Sequence, residues 1–138
     1  MLLTEIEQKV IHKRICGGLS FGQLSEDEKL LAADKIVAQC ISICGCKPHQ
    51  SEKISEVLSE ELAIFIDGFG YHSLNLDEIV LALRFNTSNL KNPSGIEIEP
   101  IIFTGYYANV NYISKVLHNY KVIRDLIDRK FQNKLDGY

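Results

Sequence analysis

Three of the four cysteines, Cys40, Cys44 and Cys46, fall within seven residues, and His49 follows three positions later. Thiolates and imidazoles are the ligands of zinc, which needs four of them converging tetrahedrally at about 2.0–2.3 Å. The spacing C-x3-C-x-C-x2-H is not a common zinc knuckle. Cys40 and Cys44 on a regular helix project from one face, one turn apart, and a third thiol two residues on seldom meets both. The cluster therefore reads mainly as small buried side chains. Cys40, Cys44, Cys46 and His49 stay as the candidate metal ligands, and no cofactor is expected. A redox pair of the C-x-x-C type is absent.

Acid–base and nucleophilic chemistry leave fainter traces. No HExxH, GxSxG, Walker A or GxGxxG string occurs. His12, His49, His72 and His118 are scattered, and most carboxylates stand where they would cap helices. No catalytic residue is nominated, and the expected activity is non-enzymatic.

Basic and aromatic side chains offer contacts rather than reactions. Lys115, His118, Val122 and Arg129 project from one side of the last helical stretch, with Lys121 nearby, and such a stripe could meet phosphates. Asp125 and Asp128 dilute it, so a solvated face is the competing reading. Phe103-Thr104-Gly105-Tyr106-Tyr107 could cover the core or dock a peptide. Some charges fall on apolar faces: Glu61 among Ile54, Val57, Leu58 and Phe65; Arg124 beside Ile113, Leu117 and Tyr120; Asp34 among Leu30, Val37 and Ile41. A buried charge needs a partner, so an internal pair of Glu61 with Arg124 or Arg84 is expected; otherwise one of these faces is an interface. The candidates for partner or nucleic-acid contact are Arg84, Tyr106, Tyr107, Lys115, Lys121, Arg124 and Arg129.

The elements that position these residues are helical. Thr4 and Glu7 form a capping box for a helix over about Glu5–Cys16, which Gly17-Gly18 ends. Leu19–Leu24 is a loop apolar enough to pack down. Ser25 and Glu28 open a second helix whose apolar positions are Leu30, Ala33, Val37, Cys40, Ile41 and Cys44. Gly45 stops it and Pro48 prevents continuation. A third helix spans about Glu52–Asp67, and a fourth about Leu76–Asn86 behind a third cap pair, Asn75 and Glu78. Ile79, Val80, Leu81, Ala82, Leu83 and Phe85 make the fourth apolar nearly all round, the mark of a central helix. Ile96-Glu97-Ile98-Glu99 alternates, so a short extended or hairpin arm is expected near 95–105. The last helix starts near Asn109 or Asn111 and reaches about Leu135, with a stripe of Ile113, Val116, Leu117, Tyr120, Ile123, Ile127 and Phe131. The expected fold is one all-α domain of about five helices, covering 1–138.

The totals agree with that architecture. The chain has 138 residues, 15 Lys+Arg, 18 Asp+Glu and 46% hydrophobic residues, which excludes a disordered tail. No stretch approaches the about 20 apolar residues of a membrane span. MLLTEIEQKV lacks the basic and apolar regions of a signal peptide. With unpaired-looking cysteines, a cytoplasmic setting is expected. The charge is uneven: residues 1–109 hold 9 basic and 15 acidic side chains, residues 110–138 hold 6 and 3. The acidic body argues against wholesale nucleic-acid binding and leaves a local contact to the basic end.

LDEIVLALRFN (Leu76–Asn86), an irregular segment, and NVNYISKVLHNYKVIRD (Asn109–Asp125) together resemble small helical proteins of bacteriophages and mobile elements. In these an "EEI..AFR.N" helix precedes "N..Y.S.VL..Y...R". The resemblance covers residues 76–138 and rests on packing patterns. It implies an accessory role in DNA replication, as a loader or adaptor of a helicase or primase, with Arg84, Asn86, Tyr112, Ser114, Lys115, Tyr120 and Arg124 at the matching positions. The leading expectation is thus a protein that binds a protein partner. The alternatives are a virion or homo-oligomeric assembly protein, a direct nucleic-acid binder through Lys115, Lys121 and Arg129, and an inhibitor of host defence.

Overall fold

A computed structural model describes residues 3–86 and 107–136, with side chains to residue 133. Its order is α1 (Glu5–Cys16), a 3-10 turn (Phe21–Gln23), α2 (Glu26–Cys44), α3 (Glu52–Gly68), α4 (Leu76–Phe85) and α5 (Val110–Asp136). The fold is all-α, and no β-sheet is present among the described residues; Lys47 and Tyr107 make one isolated parallel bridge. The arm expected near 95–105, with Tyr106, lies outside the described residues.

The caps read from the sequence form as reciprocal boxes. Thr4 and Glu7, Ser25 and Glu28, and Asn75 and Glu78 each exchange two hydrogen bonds at the starts of α1, α2 and α4. Each box satisfies amide donors that a helix start leaves without partners. Gly45 ends α2 in the left-handed region at φ 75°, which suits a residue without Cβ.

The core is one contiguous cluster built around α4 and α5. α4 packs against α1, α2 and α5, and α2 also packs on α3. Ile79, Ala82 and Leu83 of α4 meet the α5 stripe Ile113, Val116, Leu117, Tyr120, Ile123 and Ile127, all buried. Phe131, the last member of that stripe, stacks on His12 with ring centroids 4.2 Å apart.

The segment after α1 packs down as a 3-10 turn. Phe21 is fully buried, and its amide donates to the Leu74 carbonyl at 2.7 Å, while Gly22 N–H donates to His72 O at 2.9 Å. A Cβ on Gly22 would sit 3.0 Å from His72 Cβ and 3.3 Å from His72 O, so any larger residue would have to push the His72 segment back. Asn75 extends the seam. Its Oδ1 accepts from Glu78 N at 2.8 Å, and its Nδ2 donates to the carbonyls of Arg14 and Gly17. One side chain thus caps the start of α4 and the end of α1.

α3 is rotated from the expected stripe. Ser59, Leu62, Ala63 and Ile66 are buried, whereas Ile54 and Val57 are about half exposed. The Ser59 hydroxyl donates to Asp34 of α2, and Lys29 of α2 reaches Asp67 at 3.1 Å. These polar pairs draw the Ser59–Ile66 face onto α2 and turn Ile54, Val57 and Glu61 towards solvent.

Candidate functional site

The expected pair of Glu61 with Arg124 or Arg84 does not form at Arg124. Glu61 is exposed, and Arg124 Nε lies 2.9 Å from Glu78 Oε2. Glu78 is fully buried on α4. Its Oε1 accepts from Asn75 N at 3.3 Å, and its Oε2 accepts from the Tyr120 hydroxyl at 3.0 Å. Burial pushes the Glu78 carboxyl above its ordinary range, and the Arg124 charge opposes that rise. The same carboxylate, with burial, pushes the Tyr120 phenol up. Arg124 accordingly joins α4 to α5 through Nε, and its other guanidinium nitrogens reach the Ser73 hydroxyl and carbonyl at 3.4 Å. The signal was present in the sequence: Tyr120 and Arg124 share a face of α5, and Glu78 sits in a helix otherwise apolar all round.

The remaining candidates separate. Lys121 Nζ donates to the Gly70 carbonyl at 2.9 Å and lies 5.8 Å from the Tyr71 ring centroid. It seals the turn after α3. Arg84 is exposed beside a shallow groove shared with Arg14, Lys35 and Asp77. Arg129 is exposed further along α5. Tyr107 stacks on His49 with centroids 4.5 Å apart.

Lys115 is different, because the fold brings it to an aromatic wall. The C-terminal end of α3 and the first half of α5 enclose an open groove of about 440 Å³, lined by Phe65, Phe69, Tyr71, Ser114, Lys115, His118 and Asn119. Phe65 and Phe69 stack at 5.3 Å, and Phe65 lies 5.4 Å from Tyr71. Phe69 is 69% exposed, a large ring held open to solvent by its position at the α3 cap. Lys115 and His118 are exposed on the facing helix. An aromatic floor beside a cationic wall can seat an apolar side chain while pairing carboxylates next to it. From the sequence, Phe65 reads as core and Phe69 passes unnoticed between Gly68 and Gly70.

The thiol cluster also takes shape. Cys40 and Cys46 are buried with their Sγ atoms 3.5 Å apart. Cys44 is part-exposed and in hydrogen-bond contact with Cys40 and Tyr112. His49 turns away from the sulfurs: its ring stacks on Tyr107, and its Nε2 is 3.4 Å from Ala108 O. Among the described residues, no group of three or more His, Cys, Asp or Glu side chains is placed to hold a metal ion, so the four-ligand arrangement of Cys40, Cys44, Cys46 and His49 is not the one formed. No described helix is long and apolar enough to cross a membrane. Comparison with known proteins finds no matching family model, no matching curated sequence and no matching solved structure.

Proposed function

We propose that this chain acts by binding, and that its α3–α5 groove takes an acidic segment of a protein partner. The observation that carries the reading is the exposed Phe69 ring, stacked on Phe65 and facing Lys115 and His118 across the groove. Aromatic side chains, Phe among them, are enriched at protein–protein interfaces. Carboxylates flanking an apolar anchor complement Lys115.

A protein segment fits better than a nucleic acid. Lys115 and His118 line the groove, a sparse complement for a chain of phosphates, while exposed positions of α3 carry Glu52, Glu56, Glu60 and Glu61. A long polyanion would run past the groove onto those carboxylates, whereas a short segment with an apolar anchor need not. The resemblance of residues 76–138 to phage and mobile-element proteins supports an accessory role in a cytoplasmic replication assembly, with a helicase or primase as the partner class.

The reading is tested with a displayed library of random peptides selected on the folded protein. Enriched peptides should combine an aromatic or aliphatic anchor with flanking Asp or Glu. Phe69→Ala should weaken them by about 2 kcal/mol, roughly thirtyfold in Kd, and Lys115→Glu should reverse the charge preference. Enrichment of basic peptides, or binding indifferent to both substitutions, would remove the groove from consideration. Binding to single-stranded oligonucleotides with a steep salt slope would favour the nucleic-acid alternative instead.

A further inference from the structure

The buried end of α2 holds chemistry that the groove does not use. Cys40 and Cys46 are shielded from solvent with Sγ atoms 3.5 Å apart, and a disulfide would bring them to about 2.05 Å. Cys40 is held in α2, but Cys46 follows the left-handed Gly45 that ends the helix. The required closure, about 1.5 Å, can therefore be taken up after the cap, without breaking helical hydrogen bonds. Cys44 stands one turn from Cys40 and is the one residue of the three that is only partly buried. It contacts the Tyr112 hydroxyl. That hydroxyl also accepts Asn86 Nδ2–H at 2.9 Å.

We propose that Cys40, Cys44 and Cys46 form an exchange site for low-molecular-weight disulfides, in which Cys44 reacts first and Cys40 and Cys46 end as an internal disulfide. Hydrogen bonds from Cys40 and Tyr112 bring the Cys44 thiol down to about 6. The Cys44 contact and burial push Cys40 up, and burial pushes Cys46 up. This order matches attack by one thiolate followed by two slower exchanges.

In the first step the Cys44 thiolate attacks one sulfur of R–S–S–R. The S–S bond breaks and RS⁻ leaves. In the second, Cys40 loses its proton and attacks the Cys44 sulfur, expelling the other RS⁻. In the third, Cys46 loses its proton and attacks the Cys40 sulfur, and Cys44 leaves as thiolate. The two protons released convert both RS⁻ ions to RSH. Cys40 and Cys46 are oxidised by two electrons, R–S–S–R is reduced to two thiols, and Cys44 is regenerated. The product ties the residues after α2 to the helix. That segment carries His49, which stacks on Tyr107 at the head of α5.

The test treats the folded wild-type protein with oxidised glutathione, quenches with acid, alkylates, and maps the cysteines by mass spectrometry. The expected product is a Cys40–Cys46 cross-link, lighter by two hydrogens, with Cys44 alkylatable. Cys44→Ser should slow its formation by about tenfold or more without changing the end product. Cys46→Ser should stop at Cys44, as mixed disulfide or joined to Cys40. In the unmodified protein, the rate of the first step should rise with pH to a midpoint near 6, a readout that needs no variant to fold. If Cys40 and Cys46 stay alkylatable after Cys44 has reacted, or if Cys44→Ser cross-links at the wild-type rate, the proposal is overturned.

Discussion

Replacing Arg124 by Met should expose how heavily the α4–α5 junction relies on one buried ion pair. Arg124 Nε lies 2.9 Å from Glu78 Oε2, and the two side chains are 13% and 1% exposed. Removing one partner of a buried pair costs about 3–5 kcal/mol, because the other charge is left in a medium that solvates it poorly. Glu78 keeps its hydrogen bonds from Asn75 N and the Tyr120 hydroxyl. The lower end, about 3 kcal/mol, is therefore expected. For a chain of this size that is a fall of roughly 12 °C in Tm.

The pH dependence gives the reasoning its sign. Burial already raises the Glu78 carboxyl, while Arg124 holds it down. Without Arg124 it rises further. A carboxyl whose folded pKa exceeds its unfolded value favours the fold when protonated, and that advantage is lost as pH climbs through the folded value. The deficit of Arg124→Met should thus be largest near neutrality and shrink as pH falls through the raised Glu78 value. The double variant Glu78→Gln/Arg124→Met, with both charges gone, Gln Oε1 accepting from Asn75 N and its Nε2 donating to the Tyr120 hydroxyl oxygen, should return to within about 1 kcal/mol of wild type. Urea unfolding of the three proteins at several pH values measures all of this. A deficit under about 1 kcal/mol, or one that does not vary with pH, would refute a desolvated pair.

Other perturbations are smaller but equally specific. Gly22→Ala places a Cβ 3.0 Å from His72 Cβ and should cost about 1–3 kcal/mol by overpacking, read by thermal melting. Asn75→Ala removes a cap and two hydrogen bonds to the end of α1; a loss of about 2 kcal/mol in chemical denaturation is expected. Gly45→Ala meets no atom within 4 Å, so its expected cost of about 1 kcal/mol comes from the left-handed backbone alone, and Gly45→Asn should cost less.

The helix starts were legible because capping is local. Thr4 with Glu7, Ser25 with Glu28 and Asn75 with Glu78 announce their boxes three residues apart, with no help from the rest of the chain. The α5 stripe was legible for a similar reason, being long and strictly periodic. α3 was not, because its orientation is decided by polar partners on another helix: Ser59 meets Asp34, and Lys29 meets Asp67. A count of apolar residues at 100° intervals assigns Ile54 and Val57 to the core and cannot see those bonds. Glu78 was read as a cap and is one. Its second role, against Arg124 and Tyr120, depends on packing between elements more than 40 positions apart.

The site divides the same way. Lys115 stands out from the helical face of α5 alone. Its significance comes from Phe65 and Phe69, which only the approach of α3 to α5 brings beside it. Arg124, on the same helix, turns its Nε to Glu78 of α4. The cysteines were legible as a cluster but not as a contact, since Cys46 reaches Cys40 by way of the turn at Gly45.

The central claim, that the α3–α5 groove binds an acidic segment of a protein partner, is tested most directly by a heteronuclear NMR titration. An acidic peptide selected from the displayed library would be added to the labelled protein. Shifts should be confined to the groove around Phe65, Phe69, Tyr71, Lys115 and His118, and should disappear in Phe69→Ala with the fold intact. Shifts that map instead to the exposed face bearing Arg84, or a selected peptide that binds Phe69→Ala as tightly as wild type, would contradict the account.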